Sequence, residues 1–195
     1  MKSAGFVNAS PTKQFFVSIL TRDIELEDAV LDLLDNCLDG IWRSHADPAA
    51  AMESAIPYDG FRASIDIAAD HFSIVDNCGG IPRDVAVSYA FRLGREAAPD
   101  EALPTIGMYG IGMKRAIFKM GQDALIETDY RGDGFTVRIT PEWLGEANNW
   151  SLPIEDTATT LRNGTRITVR ACYAVVDARD RSGRADVSAS KAKAT

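Results

Sequence analysis

Five oxygen-bearing side chains, Asp28, Asp32, Asp35, Asn36 and Asp39, recur three or four residues apart in DIELEDAVLDLLDNCLDGIW, residues 23–42. At 3.6 residues per turn, that spacing places them in one stripe along a helix. The stripe is unfavourable by itself. Each like-charged pair costs a helix about 0.2–0.5 kcal/mol, and Asp and Asn are poor helix-interior residues. Two readings fit it. One is a solvated acidic face, although such faces are mostly built from Glu and Lys and this stretch has no Lys. In the other, the carboxylates and the amide hold a hard, oxygen-liking cation, for which Mg²⁺ is the natural candidate.

Two later groups bear on the choice. Asp76-Asn77-Cys78-Gly79-Gly80-Ile81-Pro82 puts an acceptor beside a double glycine. Glycine lets backbone approach a ligand closely, yet the same residue types also make a plain turn. Gly107-Met108-Tyr109-Gly110-Ile111-Gly112-Met113-Lys114-Arg115 puts three glycines at the mouth of a helix. Free N–H groups there suit phosphate, whereas an ordinary helix start would not carry three residues of low helix propensity. The group is not a P-loop, because Met113 follows Gly112 and no Ser or Thr follows Lys114. It is not the dinucleotide fingerprint either, because Arg115 stands at the third glycine position.

The elements that must position these groups follow from periodicity. Leu26, Ala29, Val30, Leu33, Leu34, Cys37 and Ile41 give residues 23–42 an apolar helical face beside the acidic stripe. Thr21 or Asp23 is the expected cap, with Glu25 and Glu27 favourable in the first turn. Residues 14–20 are aromatic and β-branched, which predicts a short strand or an arm. Residues 61–68 and 71–75 read as a hairpin, as do 124–130 and 135–140 around Arg131-Gly132-Asp133-Gly134. Residues 83–93 read as a helix, and 94–105 as a mobile polar segment. The 107–115 group should open a helix that Gly121 ends. Residues 141–160 read as a polar loop in which Trp150 packs rather than binds, and 160–173 contain a last strand.

Composition bounds the rest. The chain has 195 residues, 46% of them hydrophobic and 25% charged, as expected for one globular domain. A net charge of −7 argues against a nucleic-acid or membrane-surface binder. Cys37, Cys78 and Cys172 show no metal-ligand spacing and fit a reducing, cytoplasmic setting. No apolar run is long enough to span a membrane. The expected organisation is a flexible arm over 1–14, one domain over 15–173 and a disordered tail over 174–195.

Taken together, the three groups resemble the GHKL ATPases, the Bergerat-fold superfamily of type II topoisomerases, heat-shock chaperone ATPases, histidine kinases and MutL proteins. The resemblance covers about residues 15–170, and GMYGIGMKRA is closest to the MORC-like and chaperone-like branches. It implies an α/β (α+β) two-layer sandwich, with a mixed, mostly antiparallel sheet carrying helices on one face. It also implies site roles. Asp32 would be the catalytic base and Asn36 the Mg²⁺ and ATP ligand. Asp76 would read adenine, with Gly80 and Ile81 beside it. Gly107, Tyr109, Gly110, Ile111, Gly112 and Lys114 would face the phosphates, with Thr165 near adenine. The 94–105 segment would be a lid over the nucleotide.

Two departures stand out. The family's base is usually Glu, and Asp32 is shorter by one methylene, about 1.5 Å, so hydrolysis should be slow. Cys78 replaces the first glycine of the second motif, where packing is the expected role. In several branches a second domain supplies a catalytic Lys or Arg, and too few residues follow Tyr173 to form one. The chain is then a fragment, or a second copy or a transducer partner completes the site, or hydrolysis is weak. The resulting expectation is Mg²⁺-dependent ATP binding with slow hydrolysis, and no direct binding of nucleic acid or membrane. The alternatives are a non-hydrolysing ATP-gated module and, less favoured, a histidine or serine protein kinase.

Overall fold

The computed structural model describes residues 7, 9–92 and 111–170. Helix α1 (Lys13–Thr21) comes first, where residues 14–20 were expected to form a strand or an arm. Local propensity lost to context here. The Thr12 side chain accepts from the Phe15 N–H at 3.2 Å and caps the helix. Val17 and Leu20 then pack on the core, and Phe16 meets Trp150 edge-on at 5.6 Å. Trp150 thus has the packing role expected of it.

Helix α2 (Leu26–Ser44) forms where the apolar stripe predicts it, with Ala29, Leu33, Cys37 and Ile41 buried. Burying a Leu or Ile side chain stabilises by about 1.5–3 kcal/mol, enough to outweigh the stripe's repulsions. Its cap is Glu25 rather than Thr21 or Asp23, and Asp28 reaches back to accept from the Glu25 N–H at 3.1 Å. One acid of the stripe is thereby absorbed by the helix start. After the short helix α3 (Pro48–Met52) come strands β1 (Ala63–Ile67) and β2 (His71–Asp76), the expected hairpin.

Residues 83–93 do not make the single helix expected of them. One turn, α4 (Arg83–Val85), widens into a π-helical turn over Ala86–Ala90. Val85 and Val87 are weak helix formers. The Ala90 carbonyl is taken by the Lys114 side chain, and Ala86 is tied to Phe135 and Val137. Helix α5 (Gly112–Met120) ends at Gly121 as expected. Strands β3 (Asp123–Tyr130) and β4 (Asp133–Ile139) form the second hairpin. The 141–160 stretch holds helix α6 (Pro141–Gly145), capped by Thr140, and strand β5 (Ile154–Asp156), so it is not simply a loop. Strand β6 (Gly164–Arg170) completes the sheet.

The six strands are ordered β1-β2-β6-β3-β4-β5, and each of the five pairings is antiparallel. Register aligns Ile74, Ile167, Ile126 and Val137 in one row across the sheet. That row is buried and, β4 apart, joins α2 and α5 in a single core. The opposite face is polar, with pairs such as Arg166–Glu127 and Arg138–Asp123. The chain is therefore a two-layer α+β sandwich with one covered face, and the row at its Asp76 end leads to the site.

Candidate functional site

Asp76 shares the inward face of β2 with Phe72 and Ile74 by the two-residue period of a strand, so its carboxylate points at α2. There the Cys37 thiol donates to Oδ2 at 3.6 Å. Oδ1 accepts from the backbone N–H of Cys78 at 2.8 Å and of Thr165 at 3.2 Å. Burial pushes the Asp76 carboxyl above the ordinary range, against the lowering effect of these donors. Carboxyls held against their own desolvation in this way are common at functional sites.

The surrounding backbone leaves it little freedom. A Cβ at Gly164 would lie 2.0 Å from the Asp76 carbonyl oxygen, so only glycine allows β6 to pass. Gly80 has φ +70, and a Cβ there would lie 2.0 Å from the Asp129 carbonyl oxygen. The second motif's glycine is thus required by the protein's own backbone, where an approach to ligand was the expectation. The Ile81 N–H donates to Thr128 Oγ1 at 2.8 Å, and Thr128 also contacts the Gly164 carbonyl and the Thr165 hydroxyl. Thr165 therefore stands on the inward face beside Asp76. Cys78 is buried beside Cys37. Their mutual influence lowers the Cys78 pKa and, with burial, raises that of Cys37.

Five residues back along α2, less than one and a half turns, the arrangement changes character. Asp32 faces α5, and a Cβ at Gly112 would lie 3.7 Å from its Oδ1, an ordinary contact. Both its carboxylate oxygens accept from one guanidinium: Arg115 Nε to Oδ2 at 2.8 Å and Nη2 to Oδ1 at 2.7 Å. Asn36 is exposed and its amide nitrogen donates to the Asp32 carbonyl on its own helix. That leaves the amide oxygen as the group for a cation. Among the described residues no three His, Cys, Asp or Glu side chains converge on a metal site. A single neutral oxygen fits Mg²⁺ carried in on phosphate oxygens and water, and does not fit an all-protein cage. Asp35 titrates above the ordinary carboxylate range, through burial first and then the charges of Asp32 and Asp39.

The glycine-rich group is reached only in part. Gly107, Tyr109 and Gly110, with the 94–105 segment, lie outside the described residues. Ile111 is the cap residue of α5, and its carbonyl accepts from the Arg115 N–H at 2.8 Å. Lys114 is held from another element. It is 2% exposed, its Nζ donates to the Ala90 carbonyl at 2.8 Å, and burial lowers its pKa to about 8. A groove of about 280 Å³ between α1, α6 and the far end of α5 touches none of these groups.

Sequence reasoning missed Arg115, Cys37 and Thr128 as parts of the site. For Arg115 a signal existed: α2 carries a crowd of acids and only one basic residue, Arg43 at its far end, so a counter-cation had to come from another element. Against known families, the model described as histidine kinase-, DNA gyrase B- and HSP90-like ATPase matches residues 24–172. A search of curated proteins gave no match.

Proposed function

Since the chain belongs to the family of histidine kinase-, DNA gyrase B- and HSP90-like ATPases, we propose that it binds ATP with Mg²⁺ along α2 and hydrolyses it slowly. One observation carries this reading. A single helix presents Asp32 to the start of α5 and, five residues on, Cys37 to Asp76. One rigid element thus serves both ends of a nucleotide, about 7.5 Å apart along its axis.

In this reading Asp76 accepts from the adenine amino group, directly or through water, with Thr165, Gly80 and Ile81 around it. The Asn36 amide oxygen binds Mg²⁺. Held there, Mg²⁺ would supply charge neutralisation to the phosphates. Backbone N–H groups of residues 107–112 face the phosphates. Asp32 takes the proton of a water that attacks the γ-phosphorus, and ADP leaves. The carboxyl is one methylene shorter than the family's usual Glu, about 1.5 Å, which slows the step.

Residues 94–105 would close over the nucleotide and control association with a second copy or a transducer. The motif GMYGIGMKRA supports placement in the MORC-like or chaperone-like branch. We assign the ATP-binding unit to 15–173 together with the start of α1. A second reading, an ATP-gated module without turnover, is favoured by the engagement of both Asp32 oxygens with Arg115.

The test is a titration of ATP with and without Mg²⁺. Asn36→Ala is expected to abolish the Mg²⁺-dependent part of binding while leaving the fold intact, since its side chain is exposed. Undiminished affinity removes the assignment. Tight binding with no phosphate release by the unaltered chain selects the gate.

A further inference from the structure

Arg115 occupies a position no motif of the chain assigns. Its neighbours on α5, Met113, Lys114, Ala116, Ile117 and Phe118, are all buried. Arg115 itself sits at the seam with α2, its side chain 31% exposed and that of Asp32 15% exposed. An ion pair this accessible is a weak stabiliser of the fold. Its geometry is nevertheless specific. Nε and Nη2 meet the two carboxylate oxygens separately, in the side-on fork that guanidinium and carboxylate planes share. Both contacts go to Asp32, although Asp28 is close enough to add to the charge around Arg115. Asp28 is instead turned to the Glu25 N–H.

We propose that Arg115 is a positioning residue, fixing the Asp32 side chain by a two-point contact so that its remaining lone pairs address the attacking water. This rests on the ATPase reading above. A carboxylate offers about four lone-pair sites, and the fork takes one on each oxygen. One site on each is left over, and the absence of a side chain at Gly112 leaves room beside Oδ1. A short acid needs such support more than a long one, because it has less reach with which to correct a wrong rotamer. Lysine, a point charge on a flexible stem, returns the charge without the fork.

The experiment uses the full chain and compares kcat for phosphate release with ATP affinity. Arg115→Met is expected to lower kcat by about 10–100-fold, the cost of a mispositioned reacting group, with ATP affinity little changed. Asp32→Asn is expected to do the same, and the double variant to be no slower than the slower single one. Arg115→Lys should recover only part of the loss, and it carries the test if Arg115→Met fails to fold by circular dichroism. Unchanged or faster turnover in Arg115→Met overturns the inference, as do losses that multiply in the double variant. An unaltered chain that does not bind ATP overturns the ATPase reading and this inference with it. One that binds and hydrolyses ATP, with Arg115→Met indifferent, overturns this inference alone.

Discussion

The two ends of the site are built in different ways. At the Asp76 end the carboxylate is fixed by backbone: two main-chain N–H groups reach Oδ1, Gly164 lets β6 pass against the Asp76 main-chain carbonyl, and Gly80 lies against that of Asp129. At the Asp32 end the carboxylate is fixed by a side chain, Arg115, on a helix whose approach leaves ordinary van der Waals room. Main-chain contacts cannot change without moving the sheet, whereas a guanidinium can swing on its stem. In the proposed ATPase reading, the difference would suit one end to constant recognition and the other to a cycle of events.

Substitutions at the rigid end should therefore show in stability first. The largest effect is expected for Gly80→Ala, which combines φ +70 with a Cβ 2.0 Å from a carbonyl oxygen. It should cost about 3 kcal/mol or more in urea unfolding, and an unchanged midpoint would break the contrast. Asp76→Asn should have a smaller effect of opposite sign. Burial holds the Asp76 pKa above its ordinary 3.8, so the folded state binds this proton more readily than the unfolded chain does. The group's contribution to stability thus falls as pH rises from about 3.8 through the raised folded value. The amide keeps an oxygen for the two N–H donors and loses the buried charge. It should melt higher at neutral pH, with a flatter acid-side pH dependence, and bind no ATP. A lower melting temperature would show that the charge is needed by the fold.

The smallest effect belongs to the other end. Gly112→Ala meets Asp32 at no less than 3.6 Å and should leave stability within about 0.5 kcal/mol. A large loss would mean that the Asp32 end is as tightly built as its counterpart.

The same contrast decides what the sequence made legible. The apolar period of α2, both hairpins and the order of the three motifs were readable because they rest on local spacing. Helix α1 was not, since Phe15, Phe16, Val17 and Ile19 favour a strand and the helix is set by packing on α5 and α6. The short strand β5 and helix α6 hid in polar sequence for the same reason: their partners are distant. Within the site, Asp76 and Asp32 announced themselves by position, whereas their holders did not. Cys37 is the core residue its place in the apolar stripe predicts and donates to Asp76 besides, and Arg115 stands in sequence only as the residue that rules out a dinucleotide fingerprint. For Lys114, charge in a glycine-rich motif suggested phosphate, and what the spacing could not show is that its Nζ donates to the Ala90 carbonyl.

Lys13 gives the N-terminal border a physical definition. This lysine is 2% exposed, donates to the carbonyls of Trp143 and Glu146, and lies 4.1 Å from the centre of the Trp143 ring. It therefore fastens the beginning of the chain to the turn after β4, more than a hundred residues away. The family match starts at residue 24, but a polypeptide trimmed to that point would lose the whole of α1. It would strip a flank from α5 and leave two carbonyls without their donor, although the site's own residues would all still be present.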